Sequence, residues 1–179
     1  MARMPYLEIA DMPEKLAETV RALPPLNIFR MLGHATTATP GFLAMGGALL
    51  SQGELDSRLR ELVIVRVGIL SNAKYEVHQH DRISRDVGVP EPKIQALRVG
   101  PEAPEFDEWE RLVLRFTDVV VRDVKAPDDL FNEVAAKLTH RGMAELVLTI
   151  GFYMMVSRFL ENFEVDIEEV PPKVTVKHS

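Results

Sequence analysis

Glu76 and His80 stand four residues apart in the stretch RELVIVRVGILSNAKYEVHQHDRI, residues 60–83. On a helix that spacing puts a carboxylate beside an imidazole on one face. A carboxylate there fixes the tautomer of His80 and raises its basicity, which makes a proton-transfer pair near neutral pH. The same spacing also describes an ordinary ion pair on a solvated helix face. Glu61 lies fifteen residues before Glu76 in an otherwise apolar run. A carboxyl in apolar surroundings has a raised pKa and can hold or pass a proton. Its structural alternative is a first-turn acid that meets the helix dipole and pairs with Arg58.

Arg66 and Arg158 also interrupt apolar runs. A guanidinium there needs a carboxylate, either from the protein or from an acidic substrate, so both arginines are candidate substrate-binding residues as well as candidate structural ion pairs. His78 and His80 invite a metal reading, but side chains two apart on a helix diverge and cannot grip one ion, so no metal is expected. Tyr153, Trp109, Met154 and Met155 recur at helical spacing and read as core packing.

The chain of 179 residues contains no cysteine. That removes disulfides, thiolate metal sites and every cysteine-nucleophile mechanism. Acidic residues outnumber basic ones, 27 to 21, for a net charge of −6, which disfavours nucleic acid as a partner. The signals for nucleotide binding, serine hydrolysis and zinc proteolysis are missing. Residues 1–13 lack a signal-peptide pattern, and the longest apolar stretch, Leu146 to Ser157, is shorter than the roughly 20 residues that span a bilayer. The expectation is a cytoplasmic protein without a membrane partner.

The elements that would carry these residues are helical. Apolar residues recur at spacings of three and four almost throughout, so the fold class is all-α. Helices are predicted from about Pro13 to Leu23, Asn27 to His34, Pro40 to Leu50, Arg58 to Leu70, Lys74 to Val87, Pro90 to Arg98, Asp107 to Val121, Asp128 to Leu138 and Met143 to Phe163. Asp56 or Ser57 caps the fourth, whose apolar residues cover nearly its whole circumference and require burial. Gly88 suits a left-handed cap after the fifth. The predicted organisation is an N-terminal helical arm over 1–39, one helical domain over 40–165 and a tail over 166–179, which lies on the surface or ties down on a neighbouring subunit. The apolar helices exceed what one small subunit covers easily, which favours a homo-oligomer.

Residues 61–80 resemble the core of the carboxymuconolactone decarboxylase and alkylhydroperoxidase D-like (AhpD-like) superfamily. Its peroxidase branch carries Glu, eleven residues, Cys, two residues, Cys, three residues, His; the same offsets here give Glu61, Ala73, Glu76 and His80. Members with the full motif use the two thiols for peroxide chemistry, which this chain cannot do. The decarboxylase branch has a glutamate in place of the second cysteine, as Glu76 is here. The resemblance implies a compact helical subunit that assembles into trimers or hexamers.

Two functions follow. One is a lyase-type, cofactor-free acid/base enzyme acting on a small organic acid or lactone, with His80 moving the proton, Glu76 orienting it and Glu61 buffering a second proton. The other is a non-catalytic oligomeric ligand-binding or accessory protein that keeps the scaffold without the thiols.

Overall fold

A computed structural model describes residues 1–168. Their order is a 3-10 turn at Ile9–Asp11, then α1 (Glu14–Arg21), α2 (Asn27–Leu32), α3 (Thr39–Ser51), α4 (Ser57–Leu70), α5 (Lys74–Asp86), α6 (Glu91–Ala96), α7 (Glu108–Asp123), α8 (Asp128–Ala135) and α9 (His140–Phe163). Among the described residues there is no strand, and the nine helices fall where the apolar spacing predicts them, with ends shifted by a turn or less.

The fold is organised around α4. Its start is fixed by the Asp56 carboxylate, which accepts from the amides of Arg58 (3.0 Å) and Leu59 (3.1 Å), two of the donors a helix start leaves without partners. From Leu59 to Gly68 every residue is buried, as an apolar circumference demands. Helices α5, α7 and α9 all pack on it. One side joins a core with Ile150, Tyr153, Val156 and Phe116; the other, through Leu62 and Val65, joins a second core with Ile94, Leu97, Phe106 and Leu114. Enclosing α4 on both sides buries large apolar area at about 25 cal/mol per Å².

The remaining stops and starts follow local chemistry. A reciprocal capping box opens α7: the Asp107 side chain accepts from the Glu110 amide (2.8 Å) while the Glu110 side chain accepts from the Asp107 amide (2.9 Å). Thr139 Oγ1 accepts from the Gly142 amide (2.9 Å), so α9 begins a turn earlier than its first large apolar residue. Gly88 takes φ +84°, the left-handed conformation expected after α5, and a Cβ there would also meet Arg58 Nη2 at 3.3 Å. At 24 residues, α9 is long and apolar enough to cross a membrane by length and composition, since Met143 and Phe159 extend the apolar run at both ends; half of its most apolar stretch is buried in this fold.

The N-terminal helical segment packs on the rest of the chain: α2 supplies Ile28, Met31 and Leu32 to the main core, and α1 packs Leu16 and Val20 with Phe29 and Leu43. Residues 166–168 tie down on their own chain: Asp166 Oδ2 accepts from the Ala2 amide (3.0 Å) and the Tyr6 hydroxyl (3.1 Å), and Glu168 reaches α2 and α5. The rest of the predicted tail, 169–179, lies outside the described residues.

Arg66, buried in α4, holds Asp118 of α7 with Nε and Nη2 at 2.6 Å each, and its Nη1 donates to the Leu97 carbonyl at 2.7 Å. Such a pair contributes little net stability, but removing one partner strands a charge. Asp118→Ala should therefore cost about 3–5 kcal/mol in urea unfolding, and the double change Arg66→Met with Asp118→Leu should recover most of that loss.

Candidate active site

Helices α4 and α5 form a tight hairpin. Asn72 turns the chain with φ 53°, and the Ala73 amide closes on the Gly68 carbonyl at 2.8 Å. Asparagine tolerates this left-handed conformation because its short polar side chain can bond locally. A Cβ at position 68 would come within 3.0 Å of Val77 Cγ2 and 3.3 Å of Glu76 Cγ, so only a glycine lets α5 lie this close to α4. That approach sets the Glu76 and His80 face of α5 against α4.

The three candidates converge. His80 Nδ1 lies 2.6 Å from Glu61 Oε2. A carboxylate only accepts, so Nδ1 carries the proton and donates it, which leaves Nε2 as the working nitrogen. Nε2 in turn lies 3.3 Å from Glu76 Oε1, close enough for charge interaction though not aligned as a hydrogen bond. Glu76 Oε1 is buried and has no hydrogen-bond partner among the described residues. Glu61 is wholly buried, Glu76 is 3% exposed and His80 7%. One imidazole is thus hydrogen-bonded at Nδ1 to one buried carboxylate and approached at Nε2 by another.

Burial is the leading cause of the shift at Glu76: it removes water from the carboxylate and pushes the pKa up to about 7; the nearby Glu61 charge adds to this and His80 offsets part of it. At His80, burial alone would lower the pKa. The charges of Glu61 and Glu76 and the Glu61 hydrogen bond overcome it, so the value is raised. A buried carboxyl and an imidazole whose pKa values are both raised, side by side, are suited to general acid/base work.

Three groups that the sequence pattern does not mark complete the site. Arg60 is buried beside Glu61, Nε to Oε1 3.4 Å, and brings a cation to the carboxylate; the expected partner Arg58 instead donates to the Val87 carbonyl at 3.3 Å. Side-chain direction decides this, since Arg58 points toward the end of α5. The Tyr153 ring stands edge-on to His80 at 4.9 Å and 82°, and burial together with Glu76 and Glu61 pushes its phenol well above its ordinary pKa. Gly68 is the third. A signal for Arg60 existed in the sequence, because a helix buried all round must pair any arginine it carries; nothing in the spacing distinguishes Tyr153 from core.

Arg66 is not brought to this site, since Asp118 and Leu97 occupy its guanidinium. Arg158 is exposed and donates to the Met154 carbonyl at 2.8 Å. His78 is exposed while His80 is buried, the divergence their spacing predicts. A cleft of about 410 Å³ runs along the outside of the hairpin, lined by Gly68, Ala73, Val77, His78 and Ile167, with Gly68 and Val77 between it and Glu76. A larger hollow of about 550 Å³, between Arg111, Arg115 and Lys137, shares none of the three candidate residues.

Residues 38–118 match the model of the Carboxymuconolactone decarboxylase family. Over that part the chain is similar to the Carboxymuconolactone decarboxylase family, and its helical fold is shared with AhpD-like proteins. Unlike a thiol peroxidase, it contains no cysteine. Among solved structures, it is similar to the AhpD core of an uncharacterized peroxidase-related protein from Ralstonia eutropha JMP134, with 18% identity over 94% of this chain and 93% of that one and a TM-score of 0.83. It is also similar to a cysteine-to-alanine form of the debrominase Bmp8 in complex with 2,3,4-tribromopyrrole (17% identity, 94% and 95% coverage, TM-score 0.77). A protein of unknown function from Agrobacterium tumefaciens, suggested to be an antioxidant defence protein AhpD, aligns at 26% identity over 73% of this chain and 92% of that one, with a TM-score of 0.67. Comparison with curated proteins finds no significant match.

The shifts carry a sign for stability. Glu76 rises from 4.5 to about 7 on folding, so the fold favours its protonated form; that contribution is complete below about pH 4.5 and is lost as pH rises through 7. His80, raised from 6.5, likewise contributes below its unfolded value and loses that above its folded one. Both run the same way, so urea unfolding should show stability falling by up to roughly 3 kcal/mol between pH 4.5 and 8. Glu76→Gln should flatten this profile and exceed wild type at pH 8; parallel profiles for the two proteins would contradict the protonation assigned to Glu76.

Proposed function

We propose that this protein is a cofactor-free acid/base enzyme, a lyase that decarboxylates a small organic acid or lactone. The observation that carries the reading is the buried imidazole of His80, hydrogen-bonded to Glu61 at Nδ1 with the Glu76 carboxyl 3.3 Å from Nε2. In such a reaction the bond from carbon to the departing carboxylate breaks, CO₂ leaves, and the electron pair stays on carbon, spread into a neighbouring carbonyl. A proton must then reach that carbon. Glu76 supplies it, because a carboxyl with a pKa of about 7 is still half protonated at neutrality. His80 Nε2 stabilises the carboxylate left behind and returns a proton from solvent, while Glu61 holds the ring and its tautomer in place. The two glutamates thereby exchange the roles their spacing suggests: Glu61 orients and Glu76 carries the movable proton.

The near-complete burial of His80 favours a second reading, a ligand-binding or accessory protein in which the same three residues are a satisfied polar core. Turnover separates the two. On a panel of lactone carboxylic acids followed by CO₂ release, His80→Ala and Glu76→Gln should each lower kcat by about 10²–10⁴-fold. Unchanged turnover of a confirmed substrate in either variant would exclude the assigned roles, and no turnover of any compound by wild type would leave the accessory reading.

Self-association belongs to the same proposal. Met45 on α3 and Val147, Leu148 and Met155 on α9 are exposed, and Gly41, Gly47 and Gly151 face open space nearby. Light scattering should give a multiple of the 20.2 kDa subunit, and Leu148→Arg should reduce it.

A further inference from the structure

Glu168 is a carboxylate whose contacts are all donors. Its Oε1 accepts from the Asn27 amide and from the Tyr75 hydroxyl, and its Oε2 accepts from Gln79 Nε2, each at 2.6 Å. None of these partners is a cation. Tyr75 and Gln79 are 4% and 7% exposed. They sit four apart on α5, each one residue before Glu76 and His80, so the two pairs occupy neighbouring columns of one helix. Arg82 Nη1 lies 3.5 Å from Gln79 Oε1, which sets the amide with its nitrogen toward Glu168. The backbone that carries Glu168 is anchored separately, by the Asn27 side chain on the Asp166 carbonyl (2.9 Å) and by Tyr6 on the Asp166 amide (2.7 Å). The donors therefore stay together whatever side chain stands at position 168.

We propose that the Asn27 amide, the Tyr75 hydroxyl and Gln79 Nε2 form a carboxylate-binding site beside the Glu61–His80–Glu76 group, which Glu168 fills as a tethered ligand and a small free carboxylate fills when that side chain is removed. Three short donors converging on one carboxylate give directional recognition, and neutral donors select a single carboxylate rather than a densely charged phosphate. In burial the exchange is favourable: deleting the Glu168 carboxylate removes the acceptor of the Tyr75 O–H and of Gln79 Nε2, and an incoming carboxylate restores it. The site adjoins the acid/base group proposed above, and the binding stands without that reading.

The test is thermal melting of the full chain, wild type and Glu168→Ala, titrated with sodium acetate against sodium chloride at equal ionic strength. Glu168→Ala should melt below wild type, and about 100 mM acetate should raise it by about 3–5 °C while leaving wild type unmoved. Adding Tyr75→Phe to Glu168→Ala should remove the acetate response. Acetate acting equally on both proteins, or on neither, overturns the proposal, as does a response that survives Tyr75→Phe. Should Glu168→Ala not fold, Glu168→Ser leaves the same space open; acetate should then stabilise it more than wild type, and an equal effect overturns the site. Because the readout is binding, its failure leaves the decarboxylase reading untouched, and loss of turnover in His80→Ala leaves this one untouched.

Discussion

A glutamate with no solvent contact sits in the middle of the most buried helix, and much of the structure answers to it. An ionised carboxylate in such a place is tolerated only when charge and donors reach it from inside the protein. Glu61 receives both: the His80 Nδ1–H at 2.6 Å and the guanidinium of Arg60 at 3.4 Å. To deliver the imidazole, α5 must run back along α4, which demands the left-handed turn at Asn72 and the absence of a side chain at Gly68. The close approach then carries Glu76 inside as well, since it is one turn from His80. A structural obligation, neutralising Glu61, thus produces a second buried carboxyl whose pKa is about 7.

How far the sequence announces this depends on the range of each interaction. The burial of α4 is legible because its apolar residues leave no polar face, and the caps at Asp56, Asp107 and Gly88 are legible because each is local chemistry. The pairing of Glu76 with His80 follows from a spacing of four. The contact between Glu61 and His80 spans nineteen residues and depends on hairpin geometry that no periodicity encodes. The same holds for Arg66, whose partner Asp118 is fifty-two residues away, and for Glu168, which meets Gln79 across eighty-nine. Which glutamate orients and which is protonated is likewise a matter of final distances: Glu61 takes the short hydrogen bond, and Glu76 is left with an oxygen that has none.

The offsets that resemble a cysteine-containing motif sharpen the chemical reading. In this chain the positions matching the two cysteines are Ala73 and Glu76. Ala73 is buried at the hairpin and lines the outer cleft, where it can neither ionise nor donate. Glu76 faces the working nitrogen of His80. A thiol and a carboxyl are both weak acids, so either can exchange a proton with the imidazole, but only a thiol can be oxidised reversibly to a sulfenic acid or a disulfide. With no cysteine, this chain can offer at that position an acid but no thiol redox chemistry, and the Glu61–His80 hydrogen bond does not depend on which acid stands opposite.

The surroundings decide what such a proton could reach. On its apolar side, His80 continues into aromatic rings: Tyr153 at 4.9 Å, Phe152 at 5.4 Å from Tyr153, and Phe42 of α3 at 4.9 Å from Phe152. Gly46 of α3 lies directly against Phe152, where a Cβ would come within 3.0 Å of the ring. The outer face of α3 is made of Gly41, Ala44, Met45, Gly47 and Ala48, all exposed. The polar side of α5, by contrast, ends in Tyr75, Gln79 and the carboxylate of Glu168. The acid/base pair therefore lies between an aromatic wall and a set of carboxylate donors. Its two flanks thus differ in kind, one apolar and packed, the other a polar set already satisfied by a carboxylate of the same chain.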